Sequence, residues 1–188
     1  GPDEIAAILG EAPRSIQPMA GLCDCHARVF GSADRYPPVG NFDVDDLEGF
    51  SADAYRDVRD QLGLERAVLI QPDHLGDDHA CLIDAMDDLV KVRDGVSRDV
   101  VRGVAAVRGD IEDRKLEHLM SVGIVGTRLA MRRGAEIHDW DSVDRLAWRV
   151  HDFGWDVELE MDGSDLHEVE QRIREWPGRV ILGHIGLF

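Results

Sequence analysis

The feature that most constrains this chain is a repeat: short apolar runs, each followed by a segment with helical periodicity. The first run is "LCDCHARVF" (22–30). "RAVLIQP" (66–72) stays apolar until Pro72 stops it, the pattern of a strand buried on both faces. "VVRGVAAV" (100–107), "GIVGTRLA" (123–130), "DVELEMD" (156–162) and "RVILGHIG" (179–186) follow. Between the first two runs, 51–62 predicts a helix with Ser51 as N-cap and Tyr55, Val58 and Leu62 on one face. Apolar residues then recur at helical spacing through Leu82 to Val90, Leu116 to Met120 and Val143 to Phe153. A last helix is expected after Ser164 as cap, carrying Leu166, Val169 and Ile173. Strands alternating with helices in this way imply right-handed βαβ units and a parallel sheet.

Two α/β folds compete: an open doubly wound sheet and a (β/α)8 TIM barrel. No Gly-x-Gly-x-x-Gly follows any strand, which counts against a dinucleotide-binding sheet. Nearly every strand ends in polar or charged residues. These are His26 and Arg28; Gln71, Asp73 and His74; Arg108 and Asp110; Arg128, then Arg132 and Arg133; Glu160 and Asp162; and His184. A barrel gathers such ends at one mouth, where barrels of this kind carry their chemistry. The expected fold is therefore a TIM barrel with about six of its eight βα units in this chain. Residues 1–20 read as an N-terminal arm and 21–188 as the barrel domain, without strands seven and eight, which are expected either to follow Phe188 or to be supplied by another chain.

Charge narrows the partners. The formal net charge is −17, and Lys91 and Lys115 are the only lysines. Nucleic acid and anionic membrane both call for a basic surface, so neither is expected. No apolar run reaches the roughly 18 residues of a membrane span, and no export signal precedes the first strand. The odd set Cys23, Cys25 and Cys81 fits free thiols in a reducing cytoplasm, with core packing expected for Cys23 and Cys25. The sequence leaves homo-oligomerisation open.

"CDCHARVFG" followed by "RYP", then "VLIQPDHLGDDHACLIDAM", "VRGVAAVRGDI", "GIVGTRL", "HDFGWDVELEMDG" and "VILGHIG" resemble, in order, the amidohydrolase superfamily. The likeness is greatest to the amidohydrolase-2 group that contains 2-pyrone-4,6-dicarboxylate lactonase and related sugar-lactone hydrolases. The resemblance implies a (β/α)8 barrel that hydrolyses ester, lactone or amide bonds, with some members decarboxylating. Metal-using members take two ligands from a strand-one His-x-His. The lactonase branch is understood to work without a metal, using strand-one and strand-six histidines, carboxylate-gripping arginines and a strand-eight aspartate as base. By this resemblance His26 matches the first strand-one histidine, Arg128 the arginine ending strand four, and His184 the strand-six histidine. Arg28 departs from the second histidine. Gly183 and Leu187 replace the aspartate and arginine that flank the strand-six histidine, and the strand-eight aspartate is expected beyond Phe188.

The departure at Arg28 has a chemical consequence. A guanidinium cannot ligate a cation and repels one nearby, but its fork of donors suits a carboxylate or an oxyanion. The catalytic candidates are therefore His26, Arg28 and His184. The substrate-binding candidates are Arg128, Asp73, His74 and Glu160. No metal or cofactor is expected; the alternative is one divalent ion, Zn or Mn, held by His26, Glu160 and His184.

Blander readings stand beside these. The alternative for His184 is a core histidine and for Arg128 with Arg132 and Arg133 a loop balancing acids, while the "DHLGDDH" acids read as a helix cap. The acids Glu158, Glu160 and Asp162 alternate on one face of strand five, either for proton transfer or to bind arginines. The leading expectation is a hydrolase that opens a lactone or cyclic ester of a small carboxylate-bearing molecule. The alternatives are a metal-dependent decarboxylase of an aromatic acid, or a shortened barrel without catalysis.

Overall fold

The computed structural model describes residues 20–39, 48–91, 100–131 and 139–186. The expected N-terminal arm, apart from its last residue, lies outside them, as do Arg132, Arg133 and Leu187. Among the described residues, six strands alternate with five helices in the order β1 (Cys23–Ala27), α1 (Ala52–Leu62), β2 (Arg66–Ile70), α2 (Ala80–Lys91), β3 (Val101–Ala105), α3 (Asp113–Ser121), β4 (Ile124–Ala130), α4 (Trp140–Asp152), β5 (Asp156–Glu160), α5 (Leu166–Arg174) and β6 (Val180–Leu182). All neighbouring strands pair in parallel and lie in chain order.

The core forms between the sheet and the helices. Ala67, Leu69, Ala105, Ile124, Leu129, Val157 and Leu159 face outward from the strands and are all nearly or fully buried. Leu82, Met86 and Leu89 of α2, Leu116 and Leu119 of α3, and Val143, Leu146 and Val150 of α4 close over them. This is the amphipathic stripe that the helical spacing predicts.

The sheet curls strongly. In a flat sheet, β1 and β5 would lie roughly 19 Å apart, four strand spacings. Instead the side chains of His26 on β1 and Glu158 on β5 meet at 2.8 Å. The inner face of β4 and β5 is thereby turned toward β1, as in a barrel.

Four local expectations need correction. In α1 the buried side is Ala52, Tyr55 and Arg59, whereas Val58 and Leu62 are exposed. Arg59 reaches the Glu65 carbonyl at 3.2 Å, so a long cationic side chain takes a place that apolar periodicity gave to its neighbour. Ser51 does cap α1, accepting from the Ala54 N–H at 3.2 Å. Ser164 does not cap α5, whose N-cap position is Asp165; Ser164 lies inside a 3-10 turn over Gly163–Asp165 that Asp162 caps, its carboxylate taking both the Ser164 N–H at 3.0 Å and the Ser164 hydroxyl at 2.6 Å. Asp162 therefore leaves the strand-five acid row and serves the turn. β6 ends at Leu182, and His184 sits on a 3-10 turn over Gly183–Gly186 rather than on the strand. Cys23 is half-buried and Cys25 exposed, so neither packs in the core.

Candidate active site

A bulge in β1 sets up the site. Asp24 pairs with Ala67 but Ala27 with Leu69, so β1 carries one residue more than β2 across the same span. The extra residue breaks the alternation of faces. Asp24 turns outward, where its Oδ2 accepts from the Tyr55 hydroxyl at 2.9 Å. His26 and Arg28 turn inward. Simple alternation puts Asp24 on their face; the bulge separates them.

Inside the curl, Arg128 and Glu158 are register partners on β4 and β5, and Ala130 pairs with Glu160. Arg128, Glu158 and Glu160 are 2 to 3% exposed. Arg128 Nε donates to Glu160 Oε2 at 2.9 Å, its Nη2 donates to the same oxygen, and its Nη1 donates to Asp73 Oδ1 at 2.5 Å. Burial alone pulls the Arg128 pKa down, but the hydrogen bonds and charges of Asp73 and Glu160 outweigh it and the net shift is upward.

Asp73 is delivered by a tight loop after β2. Fully buried Gln71 donates from Nε2 to the Gly76 carbonyl at 3.2 Å and the Asp78 carbonyl at 2.6 Å, fixing the turn that carries Asp73. Asp78 then accepts from the Ala80 N–H at 3.0 Å at the start of α2, the capping role expected for these acids. The two histidines of the loop turn away from solvent. His74 stacks on Phe30, with ring centroids 5.2 Å apart. His79 donates from Nε2 to the Ala106 carbonyl at 2.7 Å. Burial lowers the pKa of both.

Arg28 lies at the edge of the cluster. Its Nη1 is 4.0 Å from Asp73 Oδ2, its Nη2 is 3.7 Å from Glu160 Oε2, and the same Nη2 is 3.3 Å from His184 Nε2. Its Nε–H is buried and has no acceptor. Burial, then the positive charge of Arg128, lower the Arg28 pKa, against the pull of Asp73 and Glu160. An arginine stays charged regardless.

His184 has φ 49, the left-handed region that non-glycine residues rarely occupy and that clusters at functional sites. A guanidinium donates and never accepts, so His184 Nε2 faces Arg28 with its lone pair and Nδ1 carries the proton. The His26 and His184 rings meet edge to face at 5.5 Å.

The structure thus gathers His26, Arg28, Asp73, Arg128, Glu160 and His184 in one cluster and directs His74 elsewhere. It also adds Glu158, which touches His26. The alternation of Glu158 and Glu160 on strand five was its only sequence signal. Beside the cluster lies a pocket of about 230 Å³ whose lining includes Val39, Asp73, Asp77, Val107, Arg108 and Arg128. Among the described residues, no three His, Cys, Asp or Glu side chains form a group able to hold a metal ion.

Comparison with known proteins agrees with this architecture. The family model described as "Amidohydrolase" matches residues 23–188. The chain is 29% identical over 168 residues to a 2-pyrone-4,6-dicarboxylate hydrolase from Comamonas testosteroni, covering 89% of this chain and 52% of that protein. It is 22% identical over 170 residues to a 4-sulfomuconolactone hydrolase from Hydrogenophaga intermedia, covering 88% and 52%. The chain therefore spans about half the length of the curated relatives it matches. In fold it is similar to an Agrobacterium tumefaciens protein, with a TM-score of 0.75 and 20% identity over 90% of this chain and 58% of that one. It is also similar to a probable 2-pyrone-4,6-dicarboxylic acid hydrolase from Acinetobacter baumannii solved with citric acid, with a TM-score of 0.70 and 22% identity over 85% and 57%.

Proposed function

The chain belongs to the amidohydrolase family, and we propose that it acts as a hydrolase opening a lactone or cyclic ester of a small, carboxylate-bearing molecule. The observation that carries this reading is the position of Arg28. Its guanidinium is 3.3 Å from His184 Nε2, and its buried Nε–H lacks an acceptor. A fixed cation with an unused donor suits an oxygen that becomes negative as a lactone carbonyl is attacked. The two curated relatives support the bond type, since both are named as hydrolases of lactone-type molecules.

The residues do not suit a divalent metal. Glu160 Oε2 is taken by Arg128, His26 Nε2 by Glu158, and His184 Nε2 faces Arg28. A cation 4 Å from the Arg28 charge meets a repulsion on the order of 8 kcal/mol at an effective dielectric of about 20. We therefore propose that Arg28 supplies the positive charge that a metal supplies elsewhere. The same engaged side chains and the Arg28 charge disfavour a metal-dependent decarboxylase.

In this reading Arg28 stabilises the oxyanion and His184 Nδ1–H is a second donor at the mouth. Arg128 fixes Asp73 and Glu160 around Arg28 and borders the adjoining pocket. The test is turnover of a panel of lactones, with and without a ring carboxylate, followed by proton release. Turnover of the anionic lactones, at least tenfold faster than of neutral analogues, is the expected result. No turnover on lactones, esters or amides would remove the proposal.

A further inference from the structure

We infer that Arg108, rather than Arg128, receives the carboxylate of the substrate and thereby sets the preference of the site for anionic molecules. The assignment rests on the lactone-opening reading for its reaction, while its charge balance stands on the geometry alone. Arg128 is 3% exposed, and each of its three guanidinium nitrogens already donates to an acid: Nε and Nη2 to Glu160, Nη1 to Asp73. Two carboxylates balance its one charge before any substrate arrives. A third would have to displace one of them and leave a buried acid without its cation, which is strongly unfavourable. Arg28 lies 4.0 Å from Asp73 and 3.7 Å from Glu160, beside His184, at the place given above to the reacting carbonyl. An acid group elsewhere on the substrate needs a different cation.

Arg108 can supply it at low cost. It follows β3 and lines the pocket of about 230 Å³ that Asp73 and Arg128 border. Its side chain is 58% exposed, and its Nε is 3.5 Å from Oδ1 of Asp110, which is 81% exposed. An ion pair between two solvated side chains contributes little and is readily exchanged for another carboxylate. The guanidinium fork then matches the carboxylate with two parallel donors.

The rest of the pocket suits such a ligand. Val39, Ala106, Val107 and Ala130 give it apolar walls for the body of a small ring. Asp77 lines it as well, so a carboxylate gains there only where it meets Arg108, and the ligand has one favoured orientation. Asp77, Val107 and Arg108 also line a larger cavity of about 590 Å³ that Arg114 and Lys115 share. Arg108 thus stands where the two cavities meet.

The test compares the full chain with its Arg108→Gln, Arg108→Lys and Arg114→Gln variants. Steady-state kinetics reads kcat and KM for a carboxylated lactone and for its neutral primary amide. Calorimetry reads binding of benzene-1,3-dicarboxylate, which has no bond to hydrolyse. In Arg108→Gln, KM for the acid should rise at least tenfold, the loss of a hydrogen bond to a charged group. Its kcat should fall by less than about threefold, KM for the amide should move by less than about threefold, and dicarboxylate binding should weaken in step with KM for the acid. Arg108→Lys keeps the charge without the fork and should recover part of the affinity. Arg114→Gln removes the same charge from the neighbouring cavity and should leave KM and binding within about twofold. That control separates direct contact from the general field of a protein of net charge −17. Parent-like affinity in Arg108→Gln, equal weakening of acid and amide, or an equal loss in Arg114→Gln overturns the inference. A parent that binds no dicarboxylate overturns it as well. If the parent turns over no lactone, the functional reading falls, and the dicarboxylate titration still decides the role of Arg108.

Discussion

Replacing Arg128 with methionine is expected to destabilise the fold by about 3–5 kcal/mol, the cost of breaking a buried ion pair from one side. Methionine keeps much of the length and apolar stem, so lost packing is a minor part. What disappears is the charge that satisfies two acids. Glu160, 2% exposed, loses the donors from Nε and Nη2, and Asp73 loses the one from Nη1. Arg28 is too far to replace them, at 3.7 Å and 4.0 Å from the same carboxylates. Lysine at 128 should restore little, because a single ammonium cannot reproduce the fork that spans two carboxylates. Urea unfolding checks this through the shift in midpoint at constant slope. A loss below about 1 kcal/mol would mean that solvent or Arg28 already shields the acids.

Arg28→Ala should behave in the opposite way. Its ion-pair contacts are long and its side chain is 23% exposed, so stability should change by no more than about 1 kcal/mol. Turnover should suffer instead. Loss of one preorganised oxyanion donor typically costs 10²–10³ in kcat, about 2.7–4 kcal/mol. His184 should be affected in turn, because Arg28 Nη2 holds its Nε2 as an acceptor at 3.3 Å. Kinetics and unfolding measured on the same preparation separate the two arginines: one carries the fold around the site, the other its chemistry. Equal activity in Arg28→Ala and the parent would remove Arg28 from the reaction.

The fold was largely legible because buried parallel strands are continuous apolar runs and the helices have one apolar stripe. The failures came where tertiary contacts override periodicity. In α1 the Arg59 stem lies inward and Val58 outward. In β1 a single extra residue turns Asp24 away from His26, and nothing in "CDCHA" signals a bulge. "RVILGHIG" reads as one strand, yet it bends into a turn at Gly183, where His184 takes a left-handed backbone.

The site was legible to the extent that strand ends and the family resemblance pointed at it. His26, Arg28, Arg128 and His184 were named from strand-end position together with the resemblance, and the structure sets them in one cluster. Sequence could not say which acid meets which base. Glu158 reaches His26 only because the sheet curls, a property of the whole barrel rather than of strand five. His74, in a loop without periodicity, carried no sign that it stacks on Phe30.

The most direct test of the account is the rate of anionic lactone hydrolysis by protein whose metal content has been stripped and then measured. Full turnover is expected with far less than one metal ion per chain, unchanged by chelator or by added zinc or manganese. Turnover that appears only on loading one divalent ion per chain, and vanishes again with chelator, would contradict it.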